Sequence, residues 1–278
     1  MRRPAVARAE LFAAVVLCAG CRGQVGTVAL SAWAEDTVAE GITTDDGWQV
    51  SFDHWVTGFG ELTLSSVDKG DVLVEVEGPW VADWAQADAL VAVDTVPDVP
   101  ADRHDLGFST HPVVSSSAPI NGVPSAVLEQ MVAEGLVHHI AGAATKDAYS
   151  VSFAWGFDQA VTYGPCTNGA DGTAGIAVSA DATTAAELWF HADHLLWDRL
   201  GTEEAGLAFD AIAAADADAD GTVTEAELEA VDVITAGYET TGVDVDNLHD
   251  FIGFSIAQMA HLNGGGGCTA RGYAAHDH

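Results

Sequence analysis

"WQVSFDHWV", residues 48–56, alternates apolar and polar side chains and places Trp48, Val50, Phe52, His54 and Val56 on one face of an extended segment. "YSVSFAWGF" (149–157) repeats the pattern with Val151, Phe153, Trp155 and Phe157. A two-residue period is what a strand with one buried face requires, so these two stretches set the fold class. Outward from them, "ELTLSSV" (61–67) and "DVLVEVEG" (71–78) flank a hairpin-like "DKG". "ALVAVDTV" (89–96), "LVHHIAGAA" (136–144), "GIAVSA" (175–180) and "AELWFHAD" (186–193) read as further strands. Short strands at this spacing predict an antiparallel β-sandwich.

Between these strands, residues 97–124 hold five of the eight prolines and read as long connections. "SAVLEQMVAEG" (125–135) fits a short helix closed by Gly135, with a strand as the alternative. After Leu200 the period lengthens. "TEEAGLAFDAIAAAD" (202–216), "TEAELEAVDVITAG" (224–237) and "NLHDFIGFSIAQMAHLNG" (247–264) carry helical spacing, the last capped by Asp246 or Asn247. The expected class is α+β: a sandwich over 47–200, a small helical appendage over 201–262, and a Gly-rich tail over 263–278 that contains Cys268.

Lys and Arg total 9 against 42 Asp and Glu, a formal net charge of −33. Such a chain repels nucleic acid and anionic membrane surfaces and attracts cations. The first 21 residues, "MRRPAVARAELFAAVVLCAGC", place three Arg before an apolar run from Leu11 to Gly20. The run is too short to span a bilayer and suits the core of an export signal over residues 1–20. It resembles a bacterial lipoprotein signal, with Cys21 as the lipidated residue and a membrane anchor as the consequence. Cys18 stands where a branched apolar residue is usual, and ordinary secretion is the alternative. Residues 21–46 then form a tether or, through "VGTVALSAWAED" (25–36), a first strand. Export leaves Cys166 and Cys268, which most simply form one disulfide, two free thiols being the alternative. A loop of that length is worth up to about 4–5 kcal/mol in the chain-entropy account.

"DADADGTVTEAEL" (216–228) matches the calcium-loop template. Asp216, Asp218 and Asp220 occupy positions 1, 3 and 5, and Gly221 takes the sharp turn at position 6, where a side chain is expected to clash. Thr222 offers its carbonyl, Thr224 a bridging water, and Glu227 two oxygens, a set of hard ligands that suits calcium. With a helix expected on each side, residues 203–235 resemble a single EF-hand. "DVDNLHDFIGF" (244–254) fails the same template at Leu248 and His249, so the loop has no partner loop in sequence. In an exported chain, where calcium is abundant and steady, such a loop is expected to be structural.

"WFHADHLLWD" (189–198) is the second constellation. His191 and His194 can converge with Asp193 or Asp198, a donor set suited to zinc, copper or iron. His138 and His139 lie on opposite faces of their strand, so one of them, His139, could join. Glu35, Glu40 and His261, placed on the last helix, are further candidates. The competing reading makes all of these surface residues or hydrogen-bonded supports, and the terminal "HDH" (276–278) a frayed tail.

Taken together, "AWAEDTVAEGI…DGWQVSFDHW", "ELWFHADHLLWD" and "HLNGGGGC" look like a group of secreted bacterial lipoproteins from large-genome proteobacteria, over most of the mature chain. The resemblance implies acids in the first block and a His-x-Asp-His in the second, hence Glu35, Glu40, His191, Asp193 and His194. The group's end block carries an acid and a His around its Gly run, where this chain has "GGGGC". No activity is assigned to the group.

Common catalytic motifs are absent: no G-x-S-x-G, H-E-x-x-H or phosphate loop occurs. Ser109 and His111 in "FSTHP" lack a third partner. The leading expectation is a membrane-anchored, non-catalytic calcium-binding module with an unidentified protein or glycan partner. A transition-metal (zinc or copper) protein or metal-dependent enzyme using His191 and His194 is the alternative. A carbohydrate-binding or adhesive module, marked by exposed Trp, is the third reading.

Overall fold

The computed structural model describes residues 24–87, 89–200 and 205–272; the expected export signal over residues 1–20, Cys21 and the "HDH" terminus lie outside them. The chain opens with β1 (Val25–Trp33), α1 (Glu35–Glu40), β2 (Ile42–Thr43), the long β3 (Gln49–Ser66), β4 (Val72–Val76) and β5 (Trp80–Asp83). It continues through β6 (Val91–Pro100), β7 (Arg103–Thr110), β8 (Ala118–Pro119), α2 (Ser125–Glu134), β9 (His138–Lys146), β10 (Tyr149–Phe157), β11 (Val161–Cys166), β12 (Ile176–Ala177) and β13 (Thr183–Phe190). The last third holds α3 (Asp210–Ala214), β14 (Thr222–Val223), α4 (Glu225–Glu229), α5 (Leu248–Ile256), β15 (Ala260–Leu262) and β16 (Gly266–Arg271).

The protein is mostly β, with a curled sheet that mixes pairings. Its main path runs β14-β10-β9-β3-β7-β11-β16-β15-β13-β1-β6. Most neighbours are antiparallel, as the alternation predicts, but β1–β13, β10–β14 and β5–β8 are parallel. Parallel pairs join segments far apart in sequence, so neither strand's own pattern announces them.

Expectation and structure part at β3. Trp48, Val50 and Phe52 face the main core, where Phe52 packs on Trp55 at 5.1 Å between ring centroids. A register shift against β9 between Phe52 and His54 then inserts one residue and inverts the phase. Trp55 takes the core side, while His54 and Val56 turn to the opposite face, so the five residues do not share one face. Residues 97–124 are also not all connection: β6 runs to Pro100 and β7 follows almost at once. Pro97 and Pro100 are tolerated because β6 is the terminal strand of the main path, where missing N–H donors face no partner.

Among the described residues, the helical spacing after Leu200 yields short helices only. α3 and α4 have five residues each, and α5 ends at Ile256, after which His261 lies in a strand. This segment is woven into the sheet, since β14 pairs with β10 and β15 with β13. α2 is a helix, closed by Gly135 at φ +71°. Cys166 and Cys268 form a disulfide between β11 and β16, paired neighbours 102 residues apart in sequence.

Candidate functional site

β1 and β13 run in parallel with Trp33 opposite Trp189, so both strands deliver the next residues to the same edge. Two residues beyond Trp33 stands Glu35, and two beyond Trp189 stands His191. β15 lies on the other side of β13 with His261 opposite Trp189. His191 is fixed by its backbone N–H, which donates to the Met259 carbonyl at 2.8 Å. The chain then makes a 3-10 turn over 192–196 that brings Asp193 and His194 back to the same place.

The result is a cluster of three imidazoles and two carboxylates. The rings of His191 and His261 lie 3.9 Å apart, and His194 is 6.1 Å from His191 and 5.8 Å from His261. His191 Nδ1 is 3.4 Å from Glu35 Oε1. Ligand atoms of Glu35, His191 and Asp193 fall within 4.8 Å of one another. Three Trp surround the cluster: Trp197 stacks on His194 at 3.6 Å, and Trp33 and Trp189 meet edge to face at 5.1 Å.

Four polar atoms in this cluster are buried without a hydrogen-bond partner: His191 Nε2, Asp193 Oδ1, His194 Nδ1 and His261 Nδ1. Each such atom costs about 1–3 kcal/mol unless something meets it. Burial sets the electrostatics. It raises the Glu35 carboxyl, with Asp193 and Asp36 adding to the rise and His191 opposing it. It pushes His194 down to about 3, helped by His261 and His191, and His261 down to about 4, helped by His191. Both rings are therefore neutral at ordinary pH, the form that binds metals. Glu35 is also held at φ +66°, a left-handed conformation costly for a non-glycine residue. Imidazole nitrogens with carboxylate oxygens fit zinc or copper.

Of the residues named from sequence, Glu35, His191, Asp193 and His194 come together. Glu40 lies at the exposed far end of α1. His139 sits on β9 among His54, Glu134 and Asp83, none of which acts on His194 or His261. Asp198 is engaged elsewhere, accepting from the Gly206 N–H at 2.8 Å. His261 belongs to the cluster more firmly than its sequence position suggests. Its helical spacing hid it, because the helix stops at Ile256 and the chain reverses into β15. Ser109 and His111 do not pair: Ser109 Oγ is 3.2 Å from Thr162 Oγ1, and His111 Nδ1 is 3.1 Å from the Pro112 carbonyl.

In the acidic loop, carboxylate oxygens of Asp216, Asp218 and Glu227 also gather within 4.8 Å. The loop's own N–H groups hold them. Asp216 accepts from Asp220 N at 3.1 Å and Gly221 N at 3.0 Å, and Asp220 from Thr222 N at 2.8 Å. Glu227 accepts from Ala217 N at 3.0 Å and Thr224 N at 2.9 Å, and Thr224 and Glu227 form a capping box on α4. The Thr224 hydrogen bonds hold the Glu227 carboxyl below its usual range. Gly221 is needed for its φ of +85°, not for space: an added Cβ would meet only the Ser150 carbonyl, at 3.9 Å. In place of a second loop, β14 pairs with β10, and the Trp155 indole donates to the Val223 carbonyl at 2.9 Å.

No protein family, no curated protein and no solved structure matches the chain.

Proposed function

We propose that this chain is an exported metal-binding protein with two kinds of site. Calcium in the single loop over 216–227 is structural, an EF-hand-like site held by the sheet in place of a partner loop. The functional centre is a transition-metal site, zinc or copper, made by Glu35, His191, Asp193, His194 and His261. The observation that carries this reading is the convergence of four unpartnered, buried polar atoms on one small cluster. The rings of His194 and His261 hydrogen-bond the Ser255 and Gly265 backbones, which leaves one nitrogen of each ring without a partner, the arrangement of a histidine held in place for a metal. Glu35 and His191 keep about a fifth of their side-chain surface exposed, so the centre is open to an entering ion or ligand.

The surrounding body is read as a sandwich formed by the curled sheet closing on itself. Phe190 of β13 lies 6.1 Å from both Phe59 of β3 and Phe108 of β7, strands far away along the sheet path. Anchoring through Cys21 to a bacterial membrane, facing the periplasm or the cell surface, completes the proposal. A glycan-binding or adhesive surface draws no support from the tryptophans. All eight are described, and none is among the exposed large apolar residues.

The test is the metal content of mature protein after dialysis against trace calcium. One calcium with near-stoichiometric zinc or copper, the second lost in His191→Ala and His261→Ala, is expected. Calcium alone, in protein that also fails to take up added zinc or copper, would leave only the binding-module reading.

A further inference from the structure

β3 is long enough to be paired by two strands along one side. β5 takes its residues 56–59 and β4 its residues 62–65, so β4 and β5 lie end to end. Their outward edges differ. β5 is covered by β8, which pairs with it in parallel: the Ala118 N–H donates to the Pro79 carbonyl at 2.8 Å and the Ile120 N–H to the Val81 carbonyl at 3.1 Å. β4 pairs with β3 alone among the described residues, so its outer N–H and C=O groups face no strand. An uncovered edge of this kind is a template for another extended chain.

β4 has little protection of its own. Its sequence, "VLVEV" (72–76), holds neither Lys nor Pro, and Val72 and Leu73 are 51% and 46% exposed. A register shift against β3 makes Leu73 bulge at the hairpin end and leaves the stretch from Val74 onward regular. There, Val74 and Val76 pack on the core, while Glu75 and Glu77 alternate with them on the exposed side. The stretch runs into a cavity of about 530 Å³ walled by Val76, Pro79 and Val114. Glu61, Glu75 and Glu77 also line it, and no Lys or Arg does.

We propose that the β4 edge docks an extended segment of another protein in which basic and apolar residues alternate. The segment adds a strand beside β4, in line with β8, and its backbone meets the free N–H and C=O groups. Its apolar side chains continue the row of Val74 and Val76 and enter the cavity, while its basic ones meet Glu75, Glu77 and Glu61. Main-chain hydrogen bonds supply affinity in such pairing, and side chains supply choice. A second copy of this chain is a poorer occupant, because two β4 edges set Glu75 and Glu77 against their own kind. The net charge of −33 attracts any cation, and the open edge with its cavity is what selects an extended chain. This surface is independent of both proposed metal sites.

The probe is a fluorescein-labelled, end-capped heptapeptide of alternating Lys and Val, titrated into full mature protein with calcium. Anisotropy should report saturable binding that weakens as salt rises. Glu75→Lys/Glu77→Lys should weaken it at least about tenfold. Val114→Arg, at an exposed position, places a cation at the cavity and should weaken it as well. Both are surface changes, and their circular dichroism should match the wild type. The decisive comparison uses the same peptide N-methylated at alternate residues, which keeps the charge but removes the donors of one edge. Methylating one alternate set should abolish binding, and methylating the other should spare it. Equal binding of the parent and both methylated peptides would overturn strand addition and leave ion attraction alone. No binding at low salt, or self-association of the protein that Val114→Arg abolishes, would overturn the basic partner.

Discussion

Replacing His194 by Leu should make the metal-free protein more stable in acid and leave it little changed at neutral pH. The ring is buried, its Nδ1 has no partner, and burial and the neighbouring imidazoles push it down to about 3 from an ordinary 6.5. At pH 7 the unfolded chain is mostly neutral at this residue, so protonation contributes little. Removing the orphaned atom returns about 1–3 kcal/mol. Losing the stack on Trp197 and the hydrogen bond to the Ser255 backbone takes back about 2 kcal/mol, leaving little net change at neutral pH. At pH 5 the unfolded histidine is charged while the folded one is not. The folded value lies below the unfolded one, so wild-type stability is complete above about 6.5 and falls as pH drops toward 3. By pH 5 that loss is about 2 kcal/mol, and the Leu variant escapes it. Metal reverses the order. An ion at 100 times its dissociation constant adds about 2.7 kcal/mol to the wild type and little to the variant. The assay is urea unfolding with chelator at both pH values, then with zinc at pH 7. A variant destabilised by 3 kcal/mol or more in chelator at both pH values, or stabilised by zinc as much as the wild type, would refute the reasoning.

Glu227→Gln should weaken calcium binding at least tenfold by isothermal titration, because Glu227 alone offers two side-chain oxygens to the proposed loop site; unchanged affinity sinks that assignment. His138, wholly buried beside Thr57 and pushed down to about 3, adds its own acid sensitivity between about 6.5 and 3, so His138→Gln should flatten the dependence of stability on pH there. Reducing Cys166–Cys268 should cost up to about 4–5 kcal/mol, read as a fall in the urea midpoint, and a midpoint unmoved by reductant would show that the bond does not constrain the unfolded chain. Glu35→Gly should relieve the left-handed strain and raise the chelated protein's stability by up to about 1 kcal/mol while lowering zinc affinity, and a variant that keeps full affinity would remove Glu35 from the ligand set.

Local chemistry carried much of this protein in its sequence. The alternation in 149–157 required a strand whatever surrounded it, because a two-residue period buries one face only when extended. The Cys166–Cys268 bond was the simplest expectation from the two cysteines left once the proposed export signal is set aside. The spacing of Asp216, Asp218 and Glu227 gathered their oxygens because the loop's own N–H groups hold its carboxylates, while the pairing of β14 with β10 fixes the loop on the sheet. What the sequence could not state was anything that depended on a distant partner. The bulge that turns His54 away from Val50 exists only against β9. The parallel pairing that brings Glu35 to His191 joins β1 to a strand some 150 residues later, and β15 carries His261 in from the far side. Glu40 and His139 looked as eligible as Glu35 because a side chain's chemistry is local, while its neighbours are chosen by the closure of the sheet.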